Sequence, residues 1–366
     1  MKIDRAFKAG LKGGGRMPAR VAVIDTGFWL DHPSIAHYNK KLSFNFVPGE
    51  KLMFNTNLTP DGSDLSHGTH TSSIIGGADL GGKGTIGVAP KADLVLLKVL
   101  GDGGYGDDHA ILSAIAYAAS DSVLADIINL SLGVTINKRG EPGSYTAADA
   151  QFIIEMWTRT MQYAYQQGTT VIGATGEDID GGISLDQKAN LALVDIPTSL
   201  PHVIGVSATG PVFWGRDQKT NLDAFAPYSW YGSKIIDFAA PGGNTEVSIN
   251  HPGAQCTYKL RSKTTLSFAC SNFDYVLSAC CSKKTLFPRS EFNFATRYGW
   301  IAGTSMAAPH VAGVAALIVG KAGRRVSPDA LLRHLKACTN DLGAAGKDAK
   351  YGNGRINAGK VVDLVL

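Results

Sequence analysis

The sequence predicts an α/β fold built on a central, mostly parallel sheet flanked by helices. Short runs rich in Val, Ile and Leu recur without polar alternation, as strands buried on both faces should. Longer amphipathic or small-residue stretches separate them, the alternation that produces a parallel sheet. Gly, Pro or Asp bounds the apolar runs, and the 43 glycines show no Gly-X-Y period, so they mark turns and close backbone approaches.

In chain order, the strands are expected at Arg20–Ile24, Leu94–Val99, Ile127–Leu130, Thr170–Gly173, Val203–Val206 and Ile235–Phe238. Helices are expected at His67–Gly76, Asp107–Ala119, Thr146–Gln167, Ser305–Gly320 and Ser327–Cys338. The last opens with Ser327 at the N-cap and Pro328 at the first helical position. The fourth is apolar all round and therefore reads as a buried helix. Its Pro309 is placed in the first turn, where a missing N–H does little harm. Gly242–Trp300 differs: it is mixed polar and aromatic, with no long helical period and no Pro/Ser-rich linker. It reads as a cysteine-bearing insertion at about 244–300 in one domain spanning 1–366.

With 366 residues, 44% of them hydrophobic and 18% charged, the chain can bury a large core. The net charge of +4 is weak and its cations are scattered, which argues against nucleic-acid binding. No run approaches the roughly 18 apolar residues of a membrane span. Met1 to Arg20 is basic and glycine-rich without an apolar core, so it does not read as a signal peptide. Cys256, Cys270, Cys280 and Cys281 cluster, which suggests disulfides and an oxidising, secreted setting. A bond between the adjacent Cys280 and Cys281 would be strained, so each is expected to pair elsewhere. Zinc is disfavoured, because no C-x-x-C pair occurs and His251 is the only nearby imidazole.

Three motifs carry chemistry. Val-Ala-Val-Ile-Asp25-Thr-Gly27 puts a carboxylate at the end of a buried strand, where open α/β sheets place their sites. Asp-Thr-Gly also serves aspartic peptidases, but a second Asp-Thr-Gly or Asp-Ser-Gly is absent from the sequence. Ser66-His67-Gly-Thr-His70 opens a helix with an imidazole suited to proton transfer. Read as a His-x-x-His metal pair it lacks an acidic ligand motif. Gly303-Thr-Ser305-Met-Ala-Ala-Pro-His310 places a serine at a helix N-terminus, where unpaired N–H groups and positive partial charge favour an oxyanion. Met306 beside it is a candidate for oxidative inactivation.

With these motifs in the order Asp, His, Ser, the chain closely resembles the subtilase (subtilisin-like serine peptidase) family. The resemblance runs from about Ile3 to Leu364, interrupted mainly at Gly133–Gln151 and Asn244–Trp300. Gly87-Val-Ala-Pro90, Asn129-Leu-Ser131-Leu-Gly133 and Tyr351-Gly-Asn-Gly-Arg-Ile-Asn357 support it. It implies a three-layer fold and a serine endopeptidase. Asp25 would orient His67, His67 would shuttle the proton, and Ser305 would form the acyl-enzyme. It also implies that a protein or peptide substrate adds as an extended strand between Gly104-Tyr105-Gly106 and Ser131-Leu132-Gly133. Tyr105 suggests a preference for apolar residues there. A monomer without cofactors, nucleic acid or membrane is expected.

Two departures stand out. Where the family reads Ala-Ala-Gly-Asn, with the Asn amide donating to the oxyanion, this chain reads Ala174-Thr175-Gly176-Glu177. Protonated by burial, Glu177 would donate. Alternatively it swings away while another donor or water substitutes, or turnover is slow or lost. In the last case the chain would be an impaired subtilase relative that binds peptides. The second departure is His32-Pro33-Ser34, where many members have His-Pro-Asp with the Asp on Ca²⁺. The loop Asp79–Gly84 offers one carboxylate and a lysine, so that calcium site is expected to be missing.

Overall fold

In the computed structural model, which describes residues 1–55, 65–178, 185–259, 265–281 and 297–366, six parallel strands form the centre of a ten-stranded sheet. They are β1 (Arg20–Asp25), β2 (Asp93–Lys98), β3 (Ile127–Leu130), β4 (Thr170–Ala174), β5 (Val203–Gly210) and β6 (Phe238–Pro241). Their spatial order is β2-β1-β3-β4-β5-β6. Phe44–Asn45 extends the β2 edge, and Arg355–Ile356 followed by Thr339–Asn340 extends the β6 edge. The winding reverses between β1 and β3, and ligand sites in open sheets form at the carboxyl ends flanking such a reversal.

Helices α1 (His67–Gly76), α2 (Asp108–Ala119), α3 (Ala147–Gln166), α4 (Thr304–Ala322) and α5 (Pro328–Ala337) match the predicted ones within two residues at each end. α1, α4 and α5 share one apolar core with one face of the sheet; α2 and α3 share a second core with the other. Three layers result. By length and composition α4 is apolar enough to cross a membrane, although no such run was expected; 78% of its most apolar 18-residue window is buried inside the protein, as befits a core helix.

One expectation about the elements needs correction here. Ile235 and Ile236 belong not to β6 but to a turn in which both N–H groups bond to the Gly232 carbonyl, at 3.1 and 3.0 Å. Both are buried all the same, so their apolarity serves packing rather than strand pairing. Ser327 occupies the N-cap of α5, but its side chain makes no capping bond.

The insertion carries the hairpin β7 (Gln255–Lys259) and β8 (Thr265–Ala269), then β9 (Val276–Ala279) paired antiparallel with β10 (Tyr298–Ile301). Cys256 and Cys270 are bonded across the base of the hairpin, with Cα atoms 4.9 Å apart. Contrary to expectation, Cys280 and Cys281 are bonded to each other. Cys256 and Cys270 have satisfied one another, and Cys338 is buried at the end of α5, leaving the adjacent pair only itself.

Directly beside the end of β1, the fully buried Lys98 bridges Glu50 at 2.6 Å and Asp102 at 2.5 Å. Removing one member of such a cluster leaves uncompensated buried charge, which costs about 3–5 kcal/mol. Lys98→Met is therefore expected to lower the free energy of unfolding in urea by about 3 kcal/mol. A loss under about 1 kcal/mol, the range of exposed pairs, would show that water replaces the ammonium without difficulty.

Candidate active site

Asp25, the last residue of β1, is fully buried and pairs in register with Lys98. Its Oδ1 accepts the Thr26 N–H at 2.7 Å and faces His67 Nδ1 at 2.7 Å; its Oδ2 accepts the Thr71 hydroxyl at 2.9 Å. With three donors on it, the carboxylate cannot rotate away from the imidazole. α1 is fixed against it: the Gly68 N–H donates to Thr26 Oγ1 at 3.0 Å, and Ser66 caps the helix by accepting the Thr69 N–H at 3.1 Å. The insertion also reaches this helix, since the Ser66 N–H donates to the Cys280 carbonyl at 2.8 Å.

His67 is thus half-buried with Nδ1 committed to Asp25, which leaves Nε2 as the nitrogen able to accept a proton. Burial alone would depress its pKa, but the attraction and hydrogen bond of Asp25, with a further pull from Glu177, bring the net value above the usual 6.5. His70, three residues on, points elsewhere. Its Nε2 lies 3.2 Å from the Gly299 carbonyl, and burial pushes its pKa down to about 3. It behaves as a neutral core histidine.

Ser305 is the second residue of α4, so its N–H is one of those without an intrahelical acceptor. Pro309 lies in the second turn of α4, not the first as expected, because the helix starts at Thr304. Lacking an N–H, it leaves the Ser305 carbonyl unclaimed within the helix. The Ser131 hydroxyl fills that role at 2.8 Å. The Ser305 hydroxyl in turn donates to the Ser131 carbonyl at 3.2 Å, and no hydrogen bond joins it to His67. A hydroxyl turns about one bond, and catalytic hydrogen bonds are often loose before substrate arrives.

Glu177, three residues past β4, sits beside Ser305. Its Oε2 accepts both the Thr304 hydroxyl, at 2.7 Å, and the Thr304 N–H. Burial raises its pKa above the ordinary 4.5, opposed by the Thr304 bonds and the nearby His67. Its carboxyl has therefore not swung out to solvent.

Two cavities flank the segment Leu132–Val134. The larger, about 720 Å³, is lined by His67, Gly104, Tyr105, Gly106, Ser131, Leu132 and Gly133, so both predicted substrate-binding segments meet there. Leu100, Ile111, Ile136 and Trp157 add an apolar floor that sequence reasoning missed, since each looks like ordinary core at its own place in the chain. The smaller, about 250 Å³, is lined by Ser305, Glu177, Leu132 and Gly133, together with Asp195 and Trp230, which were also missed. An acid inside the apolar run Leu193–Ile196 was the available signal. Gly133 permits the close packing between the cavities: a Cβ there would lie 2.3 Å from the Ile196 carbonyl oxygen.

The family profile described as Subtilase family (peptidase S8) matches residues 19–354, and the chain belongs to that family. Similar proteins include Thermitase from Thermoactinomyces vulgaris, 27% identical over 94% of this chain and 88% of its own length. Subtilisin Savinase from Lederbergia lenta is 29% identical, covering 98% and 94%. Among solved structures, a lanthipeptide protease superposes with a TM-score of 0.70 at 24% identity, over 98% of this chain and 90% of that one, and so bears on the fold alone.

The calcium site seen in many members does not fit this chain. The Ser34 hydroxyl lies 3.2 Å from the Tyr298 hydroxyl, and Asp79 binds the Lys12 ammonium at 3.4 Å and the Gly81 N–H at 3.1 Å. A single carboxylate already matched to a cation is a poor start for an ion that wants six to eight oxygens.

Proposed function

We propose that the chain is a serine endopeptidase acting through Asp25, His67 and Ser305. The observation that carries this reading is the buried Asp25 carboxylate 2.7 Å from His67 Nδ1, in a cleft whose adjoining cavity holds Ser305 at a helix N-terminus. A protein or peptide substrate lies extended between Gly104–Gly106 and Ser131–Gly133, held by main-chain hydrogen bonds. The Ser305 hydroxyl turns from the Ser131 carbonyl to Nε2 of His67. As its oxygen attacks the scissile carbonyl, the proton passes to the imidazole, and Asp25 stabilises the imidazolium without taking the proton. The oxyanion meets the Ser305 N–H and a protonated Glu177. His67 then gives its proton to the leaving amine, and water, activated by the same imidazole, releases the acyl group.

A protein of this kind works as a monomer outside the cell. Two disulfides support the setting, as does resemblance to the minor extracellular protease Epr of Bacillus subtilis, 26% identical over 97% of this chain and 40% of that protein's length. The test is digestion of an unfolded protein substrate, with the products mapped by mass. Internal cleavage that disappears in Ser305→Ala is expected. Equal cleavage by that variant would refute the assignment.

A further inference from the structure

We infer that the cavity beside Ser305 selects a basic side chain, arginine or lysine, on the residue whose carbonyl is attacked, with Asp195 as its counter-charge. This rests on the peptidase reading and names its substrate class. Ser305 lines this cavity and His67 lines the other. The residue bonded to Ser305 in the acyl-enzyme therefore has its side chain nearest the smaller space.

At the wall of that space Asp195 is only 2% exposed, carried on the strand Leu193–Ile196. Three donors reach it: the Thr175 hydroxyl at 2.9 Å, the Gly176 N–H at 3.0 Å, and the Thr198 hydroxyl. All three converge on Oδ2. Oδ1 has no hydrogen-bond partner among the described residues, although an ionised carboxylate has about four acceptor positions. A purely structural duty, tying the Thr175–Gly176 turn to Thr198, uses one oxygen, and an asparagine amide would serve it equally. The charge and the second oxygen are left without a use inside the protein.

The surroundings do not supply the missing cation. No Lys, Arg or His lines the cavity, and its other ionisable group, Glu177, is a second acid. Despite its three donors, burial holds the Asp195 carboxyl above the usual carboxylate range, which marks it as undercompensated. An incoming guanidinium or ammonium would supply both the charge and the hydrogen bonds that Oδ1 lacks. Trp230 provides the matching wall. Its ring lies so close to Gly176 that a Cβ there would meet it at 2.5 Å, and it offers a flat face for the stem and head of a long basic side chain. A leucine or phenylalanine in the same place would cover the carboxylate without pairing it, the arrangement that buried polar sites reject most strongly.

The experiment is a set of peptides differing only in the residue before the cleaved bond (Arg, Lys, Leu, Phe, Glu), with enzyme concentration fixed by fluorophosphonate titration of Ser305. Arg and Lys are expected to exceed Leu and Phe in kcat/KM by about 100-fold or more, with Glu lowest. In Asp195→Asn, which keeps an acceptor for the three donors, that ratio should fall at least tenfold through loss on the basic peptides. A flat profile, or one led by Leu or Phe, in enzyme that titrates normally overturns the inference even if the variant fails to fold. Absence of titration strikes the peptidase reading itself.

Discussion

Replacing His67 with alanine is expected to lower kcat on a peptide substrate by about 10⁵–10⁶-fold while leaving KM within a few-fold, the pattern for a group that acts only in the transition state. In the proposed mechanism the imidazole takes a proton from Ser305 and returns it to the amine. Its basicity is set by Asp25, whose carboxylate is fully buried and fixed by Thr26, Thr71 and the ring itself. Asp25→Asn should keep the geometry and still cost about 10⁴-fold, since an amide donor favours the wrong tautomer. Single-turnover rates on one peptide check both. A loss under tenfold in His67→Ala would mean that another residue is the base.

Glu177 leads to the second large effect. In subtilisin, loss of the oxyanion-hole asparagine costs about 10²–10³ in turnover. In the proposed oxyanion site Glu177 stands in that role, and its carboxyl can donate only when protonated. His67 must be neutral to act as base, and its pKa lies above 6.5; Glu177 must be protonated, and its pKa lies above 4.5. The two attract each other's charged forms, which raises His67 and lowers Glu177. Activity should therefore fall on the acid side as His67 gains its proton and on the alkaline side as Glu177 loses its own, giving a bell whose limbs belong to the pair. Glu177→Asn supplies a permanent donor. The alkaline limb should vanish and kcat at pH 8 should rise by about 10²-fold or more. The acid limb should also move to lower pH, because the carboxylate no longer supports the imidazolium. If the exchange instead lowers kcat at every pH, the native carboxyl is the better catalyst, and its bonds to Thr304 have organised the helix start around it.

Much of this was legible in the chain because local sequence determines it. Val-Ala-Val-Ile before Asp25 can only be a strand buried on both faces, and the all-apolar helix after Ser305 can only be a core helix, so the ends of both fall at the sheet's carboxyl edge. The three motif residues themselves were read from their motifs, in the Asp, His, Ser order that carries the resemblance to subtilases. Other features depended on contacts distant in sequence. Ser131 accommodates Pro309 only because β3 ends beside the start of α4, 174 residues away in sequence. Trp157 is buried in α3 and also lines the cleft, a second role that only the fold reveals. Asp195 reads as an anomaly in an apolar strand until the fold places it beside Ser305. The Cys280–Cys281 bond went against geometric expectation because partner choice depends on which other thiols the fold brings near.

Reaction of the folded protein with a fluorophosphonate, followed by peptide mapping, interrogates the nucleophile itself without knowledge of any substrate. One adduct per chain, on Ser305, is predicted, forming at least a thousandfold more slowly in His67→Ala, in line with the loss of its base. A natively folded chain that stays unmodified, or is modified at the same rate without His67, would contradict it.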